Sequence, residues 1–380
     1  MVQMIRPRKP IERLQEYRPP REGRVGKIRL DFNENTVGCA PAVVRALRRT
    51  LQSEWLACYP EYEKGRATLA RYFGVSKDEM LITNGVDDAI KLICDTFVDP
   101  GDSLVVPAPT FPIYQFFQDV AGGKTVHVCY NPGLRFPVER FVAAIRRGGR
   151  RTRWVALANP NNPTGTLISK PDLALILRSA PQSVVLVDEA YFDFSQATIL
   201  PWIRRYKNLI VGRTFSKAFG LAGLRIGFLF GHRELMGLVR RAHAVFAVNA
   251  VGMAASVEAT RHTREVDRYA AMVRTQRARL CRQLDALGIA WAPSAANFVL
   301  VRAGARAAEI ARRLRTKHIL VRDWSYDPHL RFYLRITVGT AAQMRRLTHE
   351  LERLRRLIEP GAGADAWRDL MTYPPPEYFG

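Results

Sequence analysis

At 380 residues, with 47% hydrophobic and 24% charged residues, the chain has a globular composition and is long enough for two domains around a large core. No apolar run approaches the ~20 residues that span a bilayer, the N-terminus lacks the apolar centre of a secretory signal, and the five scattered cysteines (Cys39, Cys58, Cys94, Cys129, Cys281) show no CxxC spacing, so neither a metal site nor a disulfide framework is expected and the reducing cytoplasm is the expected compartment. The net charge of +23 comes mostly from arginines spread along the chain, as in RRGGRRTR (146–153), without a zinc finger, helix-turn-helix or aromatic-interleaved RNA motif, so an anionic small molecule is a better-fitting partner than nucleic acid.

Residues 1–28 are rich in Arg, Pro and Glu and read as an irregular arm, and LDFNENTVGCAP (30–41) reads as a short strand and a turn. Pro41 at a helix start predicts a helix through about Leu51. Tyr59-Pro60 marks a break, and a second helix over about 63–73 ends at Gly74. From residue 80 the pattern alternates. Met80–Thr83 is a short strand, Asn84-Gly85 a turn, and Val86–Phe97 a helix with Ile90, Ile93, Cys94 and Phe97 on one face. Strands are predicted at 103–106, 124–130 and 153–158, with helices over 110–121 and 137–147 between them. A helix over 171–179 leads to a buried strand, Ser183–Val187, and strands at 208–212 and Ile226–Phe230 follow. Such alternation implies an α/β fold with a mostly parallel sheet covered on both faces.

Past residue 232 a helical region runs to about 286, with a break near Ala247–Gly252. Strands at 297–302, 318–322 and 332–338, with helices over 305–316 and 341–357, predict a smaller α+β domain. The expected organisation is an arm over 1–40, a large domain over 41–245, a small domain over 246–357 that part of the arm can join, and an irregular tail over 358–380.

Ligands of α/β sheets gather at the carboxyl ends of the strands, and several notable residues fall there. RTFSKAFGLAGLRIG (213–227) sets one lysine, Lys217, between a hydroxyl-rich turn (Thr214, Ser216) and a small-residue stretch ending in Arg225. Hydroxyls and an arginine suit a phosphate, and an amine beside a phosphate site suggests a Schiff base to pyridoxal phosphate; the bland alternative is a solvated lysine before a helix. Asn84-Gly85-Val86-Asp87 joins a strand to a helix N-terminus, whose free N–H groups also suit a phosphate, although an ordinary Asn-Gly turn has the same spelling. NPNNPTG (159–165) is a loop stiffened by two prolines and a glycine; it is either a tight turn or a rigid carrier of a donor to a ring oxyanion. Asp188 follows the apolar strand SVVLV, where a carboxylate needs a cation. A protonated pyridine nitrogen is one, with Tyr191 in reach of the ring's phenolic oxygen; a helix cap or a Mg²⁺ ligand is the other reading, without the GxxxxGK[ST] loop that would accompany it.

NPNNPTG, VDEAY and RTFSKAFGLAGLRIG, in this order, resemble the class I/II (fold type I) pyridoxal-phosphate-dependent aminotransferases, most closely the histidinol-phosphate branch. LDFNEN (30–35), YP (59–60), PSAANFVLVR (293–302), VRD (321–323) and LRITVGT (334–340) are similar to further marks of that branch, and the resemblance covers roughly residues 28 to 357. It implies a large domain with a seven-stranded, mostly parallel sheet and a smaller C-terminal domain. It also implies that Lys217 forms the internal aldimine and moves the substrate's α-proton, while Asp188 keeps the pyridine nitrogen protonated. Asn162 and Tyr191 would bond the phenolic oxygen, Phe111 would stack on the ring, and Ser216, Arg225 and the N–H groups of Val86 and Asp87 would hold the phosphate. Tyr59 would reach the phosphate of a partner subunit, implying a homodimer with shared sites. Arg335 would grip the substrate carboxylate, Arg335 and Arg322 would face a substrate phosphate, and Asn297 would lie near either group. The implied partners are a small amino donor, histidinol phosphate first, and a 2-oxo acid, 2-oxoglutarate first; no metal is implied.

The sequence departs from the branch at Thr36, where proline is usual, at Phe111, where tyrosine is usual, and in Gly85-Val86-Asp87-Asp88; the 23-residue tail has no counterpart. An aromatic amino acid aminotransferase and a threonine-phosphate decarboxylase share the same scaffold and stay open as alternatives. A basic nucleic-acid binder would leave the strand-end residues without a role, and the N-terminal arm is too short to add a DNA-binding domain.

Overall fold

The structure, a computed structural model, describes residues 5–12, 14, 23–325, 327, 330–360, 364–367 and 370. In chain order its strands are β1 (Ile28–Leu30), β2 (Met80–Thr83), β3 (Ser103–Ala108), β4 (Lys124–Cys129), β5 (Thr152–Ala158) and β6 (Val184–Asp188). They continue with β7 (Leu209–Thr214), β8 (Gly227–Gly231), β9 (Phe298–Arg302), β10 (Ile319–Asp323) and β11 (Tyr333–Thr337).

Seven strands form the large sheet in the order β2-β8-β7-β6-β5-β3-β4. All neighbours are parallel except β8, which runs antiparallel to both β2 and β7. The expected mostly parallel, seven-stranded sheet is therefore present. Every residue of β6, VVLVD, is buried, because helices cover both faces and leave no polar side for alternation. One face packs Val185, Val187, Leu209 and Val211 into the main core; the other packs Leu186, Ile210 and Trp154 against the Gly85–Phe97 helix through Ala89, Ile90 and Ile93.

The small sheet has the order β1-β10-β11-β9. Its β1 comes from the N-terminal arm and pairs in parallel with β10, Ile28 opposite Ile319. The predicted strand at residue 30 thus begins two residues earlier.

Helix boundaries follow local chemistry. Pro41 opens the Pro41–Thr50 helix, and Gly74, at φ 69°, ends the Glu63–Phe73 helix. The long helical region is in fact three helices, Arg233–Ala242, Ala250–Ala259 and Thr263–Ala286. Asn249 caps the second by accepting from the Gly252 N–H, which moves the break to 243–249. The predicted 110–121 helix starts only at Ile113, after Pro112. Among the described residues past 357, Ile358 is buried, and Ala364–Trp367 forms a short 3₁₀ turn whose Trp367 is buried. Residues 361–363, 368–369 and 371–380, like 1–4, 13 and 15–22 of the arm, lie outside the described residues. No helix among the described residues is long and apolar enough to cross a membrane.

Candidate active site

A cavity of about 720 Å³ opens between the carboxyl ends of β5–β7 and the central strands β10 and β11 of the small sheet. Three groups of side chains enter it.

At its floor, Asp188 closes β6 and Lys217 lies just beyond β7. Asp188 is 5% exposed. Its Oδ2 accepts a 2.7 Å hydrogen bond from the Tyr114 hydroxyl and its Oδ1 accepts one from the Ala190 N–H at 3.0 Å. Burial pushes its carboxyl up to about 6, against the pull of those donors. The Lys217 Nζ donates to the Phe32 carbonyl at 3.0 Å. Burial, followed by the charge of Arg335, pushes this amine down to about 8. A buried carboxylate and an amine with a lowered pKa facing one cavity are what a cationic ring and a nucleophilic amine require.

Beside them, Tyr191 OH accepts from Asn33 Nδ2 at 2.9 Å; burial raises its hydroxyl, while Arg335 and that hydrogen bond oppose the shift. Phe111 stands at the cavity wall, edge-on to Tyr114 with centroids 5.6 Å apart. Asn162 also lines the wall, and its Oδ1 accepts from Arg335. Asn161, one residue earlier, is turned away and holds the loop in shape by donating to the Pro109 carbonyl at 3.0 Å and accepting from Thr110 at 2.7 Å.

The second group is a cradle at the N-terminus of the Gly85–Phe97 helix, lined by Val86, Asp87, Thr214, Ser216 and Arg225. Two glycines allow the close approach. A Cβ on Gly227 would lie 2.5 Å from the Gly85 carbonyl carbon, and one on Gly85 would lie 2.6 Å from Arg225 Nη2. Gly85 sits at φ 84° and Arg225 at φ 55°, both left-handed. Arg225 reaches back to Asp87 Oδ2 at 3.0 Å, and Thr214 donates to Ser216 Oγ at 2.9 Å. Helix-end N–H groups, two hydroxyls and a guanidinium in one cradle form a donor set suited to a phosphate. With Asp188 and Lys217 at the other end, the residues fit pyridoxal phosphate.

The third group is cationic. Arg322 on β10 and Arg335 on β11 are cross-strand partners, and both are buried at 6–7% exposure. Arg335 Nη2 donates to the Asp31 carbonyl at 2.7 Å. The Trp324 ring lies 5.9 Å from the Arg322 guanidinium and 5.5 Å from that of Arg335. Glu34 lines the same cavity; burial raises its pKa, but its ion pairs with Arg24 at 2.8 Å and Arg29 at 3.1 Å leave it below the usual carboxylate range.

Two predicted residues stand elsewhere. Asn297 is fully buried but is one layer behind the wall: its Nδ2 donates to the Asn33 carbonyl at 3.0 Å, supporting the residue that holds Tyr191. Tyr59 is 77% exposed and stacks on Phe246 at 4.4 Å, outside the cavity of its own chain. Sequence reasoning missed Tyr114, Asn33 and Trp324. The spacing of Phe111 and Tyr114 in PTFPIY was a usable signal, because residues three apart entering a helix share a face.

The family model for aminotransferases of class I and II matches residues 25–351. The histidinol-phosphate aminotransferase of Caldanaerobacter subterraneus subsp. tengcongensis is 35% identical over 318 residues, 83% of this chain and 89% of the relative. That of Symbiobacterium thermophilum is 35% identical over 351 residues, 91% and 94% of the two chains. Among solved structures, histidinol-phosphate aminotransferase from Sinorhizobium meliloti in complex with pyridoxal-5'-phosphate superposes with a TM-score of 0.84 at 27% identity, covering 93% of this chain and 98% of that one. Motifs, sheet, cradle and relatives agree, and the chain belongs to the aminotransferases of class I and II, enzymes that work with pyridoxal phosphate.

Proposed function

We propose that the protein moves the amino group of a phosphorylated amino donor, histidinol phosphate first, to a 2-oxo acid, 2-oxoglutarate first. The observation that carries this reading is the buried Arg322–Arg335 pair facing Asp188 and Lys217 across one cavity. Two buried guanidiniums side by side on one wall suit a dianion, whose oxygens can accept from both. The histidinol-phosphate aminotransferases among the relatives support the choice of donor.

Bound here, pyridoxal phosphate supplies an electron sink next to the donor's Cα–H bond. Asp188 would hold a proton at the pyridine nitrogen. Lys217 is the amine to which the cofactor's aldehyde would attach, and once released it would take the Cα proton and return it to the cofactor carbon on the far side of the amino nitrogen; a pKa of about 8 leaves a usable neutral fraction near neutrality. Tyr191 and Asn162 would orient the ring through its phenolic oxygen, and Phe111 would cover its face. The Val86–Asp87 helix end, Ser216 and Arg225 would hold its phosphate. Arg335 would bind the carboxylate of the 2-oxo acid and share the donor's phosphate with Arg322, since both anions offer paired oxygens.

We further propose that the chain works as a homodimer in the cytoplasm. Tyr59, Phe246, Val245, Val37 and Leu56 are all exposed and apolar, and a partner copy covering them would admit Tyr59 to the neighbouring cavity. The test is glutamate formation from histidinol phosphate and 2-oxoglutarate by the purified holoenzyme. Turnover of phenylalanine without histidinol phosphate would favour an aromatic enzyme, and carbon dioxide from threonine phosphate a decarboxylase.

A further inference from the structure

The tail past residue 358 lies beyond the stretch that matches the family, which ends at residue 351. Its described residues are nevertheless packed against the small sheet and the 130–134 loop. Glu359 pairs with Arg302 at 2.9 Å and accepts from the Ala305 N–H at 2.8 Å, which fixes where the tail leaves the small sheet. Further on, the Trp367 ring stacks on Tyr333 of β11, with centroids 5.7 Å apart and planes 15° from parallel. The Tyr333 hydroxyl donates to the Ala366 carbonyl at 2.9 Å. Trp367 and Leu370 complete a buried apolar cluster with Tyr130 and Leu134, which follow β4 of the large sheet, and with Trp324 and Leu330.

Trp324 and Leu330 are also walls of the cavity. They bracket the turn from β10 to β11, where the Asp327 N–H donates to the Trp324 carbonyl at 2.9 Å and Asp327 Oδ1 accepts from the Leu330 N–H at 3.1 Å. Arg322 is the last but one residue of β10 before that turn, and Arg335 is the third residue of β11 after it. Trp324 and Leu330 therefore line the cavity and also share a buried cluster with Trp367. A close-packed wall cannot move on one side while its backing stays put.

We propose that the turn Ala364–Trp367 is a positioning element for donor recognition: Trp367 packs in one cluster with Tyr130, Leu134, Trp324 and Leu330 and sets where Trp324 and the two arginines stand. Trp367 touches no reacting group. It acts through Trp324, Leu330 and Tyr333. This rests on the reading that the arginine wall receives the donor's anionic group.

The experiment compares the holoenzyme with Trp367→Ala, Trp367→Phe and Tyr333→Phe variants. Hydrogen–deuterium exchange is followed in peptides covering 320–336 and in those covering β6 and β7, and kcat and KM are measured with whichever amino donor turns over. In Trp367→Ala the 320–336 peptides exchange faster while β6 and β7 are unchanged. Its KM for the donor rises about tenfold, with kcat and the visible absorbance of the cofactor within about twofold of the parent. Trp367→Phe keeps a stacking ring and restores the parent values, and Tyr333→Phe, which loses the hydroxyl's bond to Ala366 and keeps the ring stacked on Trp367, falls between. Unchanged exchange over 320–336, or faster exchange there with an unchanged KM, overturns the proposal; should Trp367→Ala not fold, the same two criteria apply to Tyr333→Phe. A parent enzyme inactive on histidinol phosphate would refute the proposed donor and leave the exchange result standing on its own.

Discussion

The hydroxyl of Tyr114 and Oδ2 of Asp188 lie 2.7 Å apart in a pocket where both side chains are buried. The phenol is pushed well above its ordinary range, by burial first and then by the carboxylate, so it stays a donor at every working pH. Donating to the charged carboxylate lowers the Asp188 pKa, opposing the burial that lifts it to about 6. Tyr114→Phe removes that donor. The Asp188 pKa rises, and the acid limb of the pH–rate profile moves toward neutrality. Hydrogen bonds to charged groups contribute about 1.5–3 kcal/mol, so kcat falls by roughly ten- to a hundredfold while cofactor is retained. Paired pH–rate profiles and cofactor absorbance check both halves.

Lys217→Ala changes the visible spectrum of the holoenzyme and lowers turnover by roughly 10²–10⁴-fold, the range for losing a positioned proton carrier. In the parent, cofactor uptake needs the neutral amine. The rate of uptake therefore climbs about tenfold per pH unit up to a pH of about 8 and levels off above it. The sign for stability follows from the same group. Its folded value of about 8 lies below the ordinary 10.5, so the charged amine penalises the cofactor-free fold at neutral pH, and that penalty is relieved as pH rises between those two values. Denaturant midpoints of cofactor-free parent and Lys217→Met across this window show a slope that the variant lacks.

The two arginines separate by substrate. Arg322→Ala raises KM for histidinol phosphate by roughly ten- to a hundredfold, as expected for one lost charge-assisted contact. It leaves KM for 2-oxoglutarate within about twofold, a proportion expected when a removed group touches only one substrate. Arg335→Ala impairs both, and Arg335→Lys rescues little, because an ammonium has no two-pronged face. Steady-state kinetics with each substrate varied in turn distinguish the cases.

Glu189 and Arg213 form an ion pair at 2.9 Å beneath the site, the carboxylate fully buried and the guanidinium 11% exposed. Arg213 also lies 3.7 Å from the Phe192 ring centroid, and Thr198 donates to Glu189 Oε2 at 2.8 Å. Glu189→Ala strands the cation in the interior and destabilises the protein by about 3–5 kcal/mol. Urea unfolding measures the loss; an apolar double replacement of both partners loses less.

Elements whose chemistry is local were legible in the sequence. The alternation from Met80 to Phe230 foretold the sheet, and Asp188, Lys217, Val86, Asp87, Ser216 and Arg225 were named from strand ends and a helix start before their convergence on one cavity was visible. Phe111, Asn162, Tyr191, Arg322 and Arg335, carried over from the family's motifs, line it too. What was not legible is tertiary. Asn33 holds Tyr191 across 158 positions, and Asn297 supports Asn33 across 264. No pattern within a helical or strand period reports such pairings. The burial of Trp367 was not legible for the same reason: its partners are Tyr333 and the 130–134 loop, far off in sequence.

The pairing of Ile28 with Ile319 has a consequence for biosynthesis. A segment made among the first thirty residues must wait for one made almost three hundred residues later, and loops of that length form slowly. While the ribosome is still at work, the seven-stranded unit can assemble as soon as Gly231 emerges, but its catalytic cleft stays roofless. During that interval Ile28–Leu30 is without its β10 partner, and its backbone groups are open to wrong neighbours.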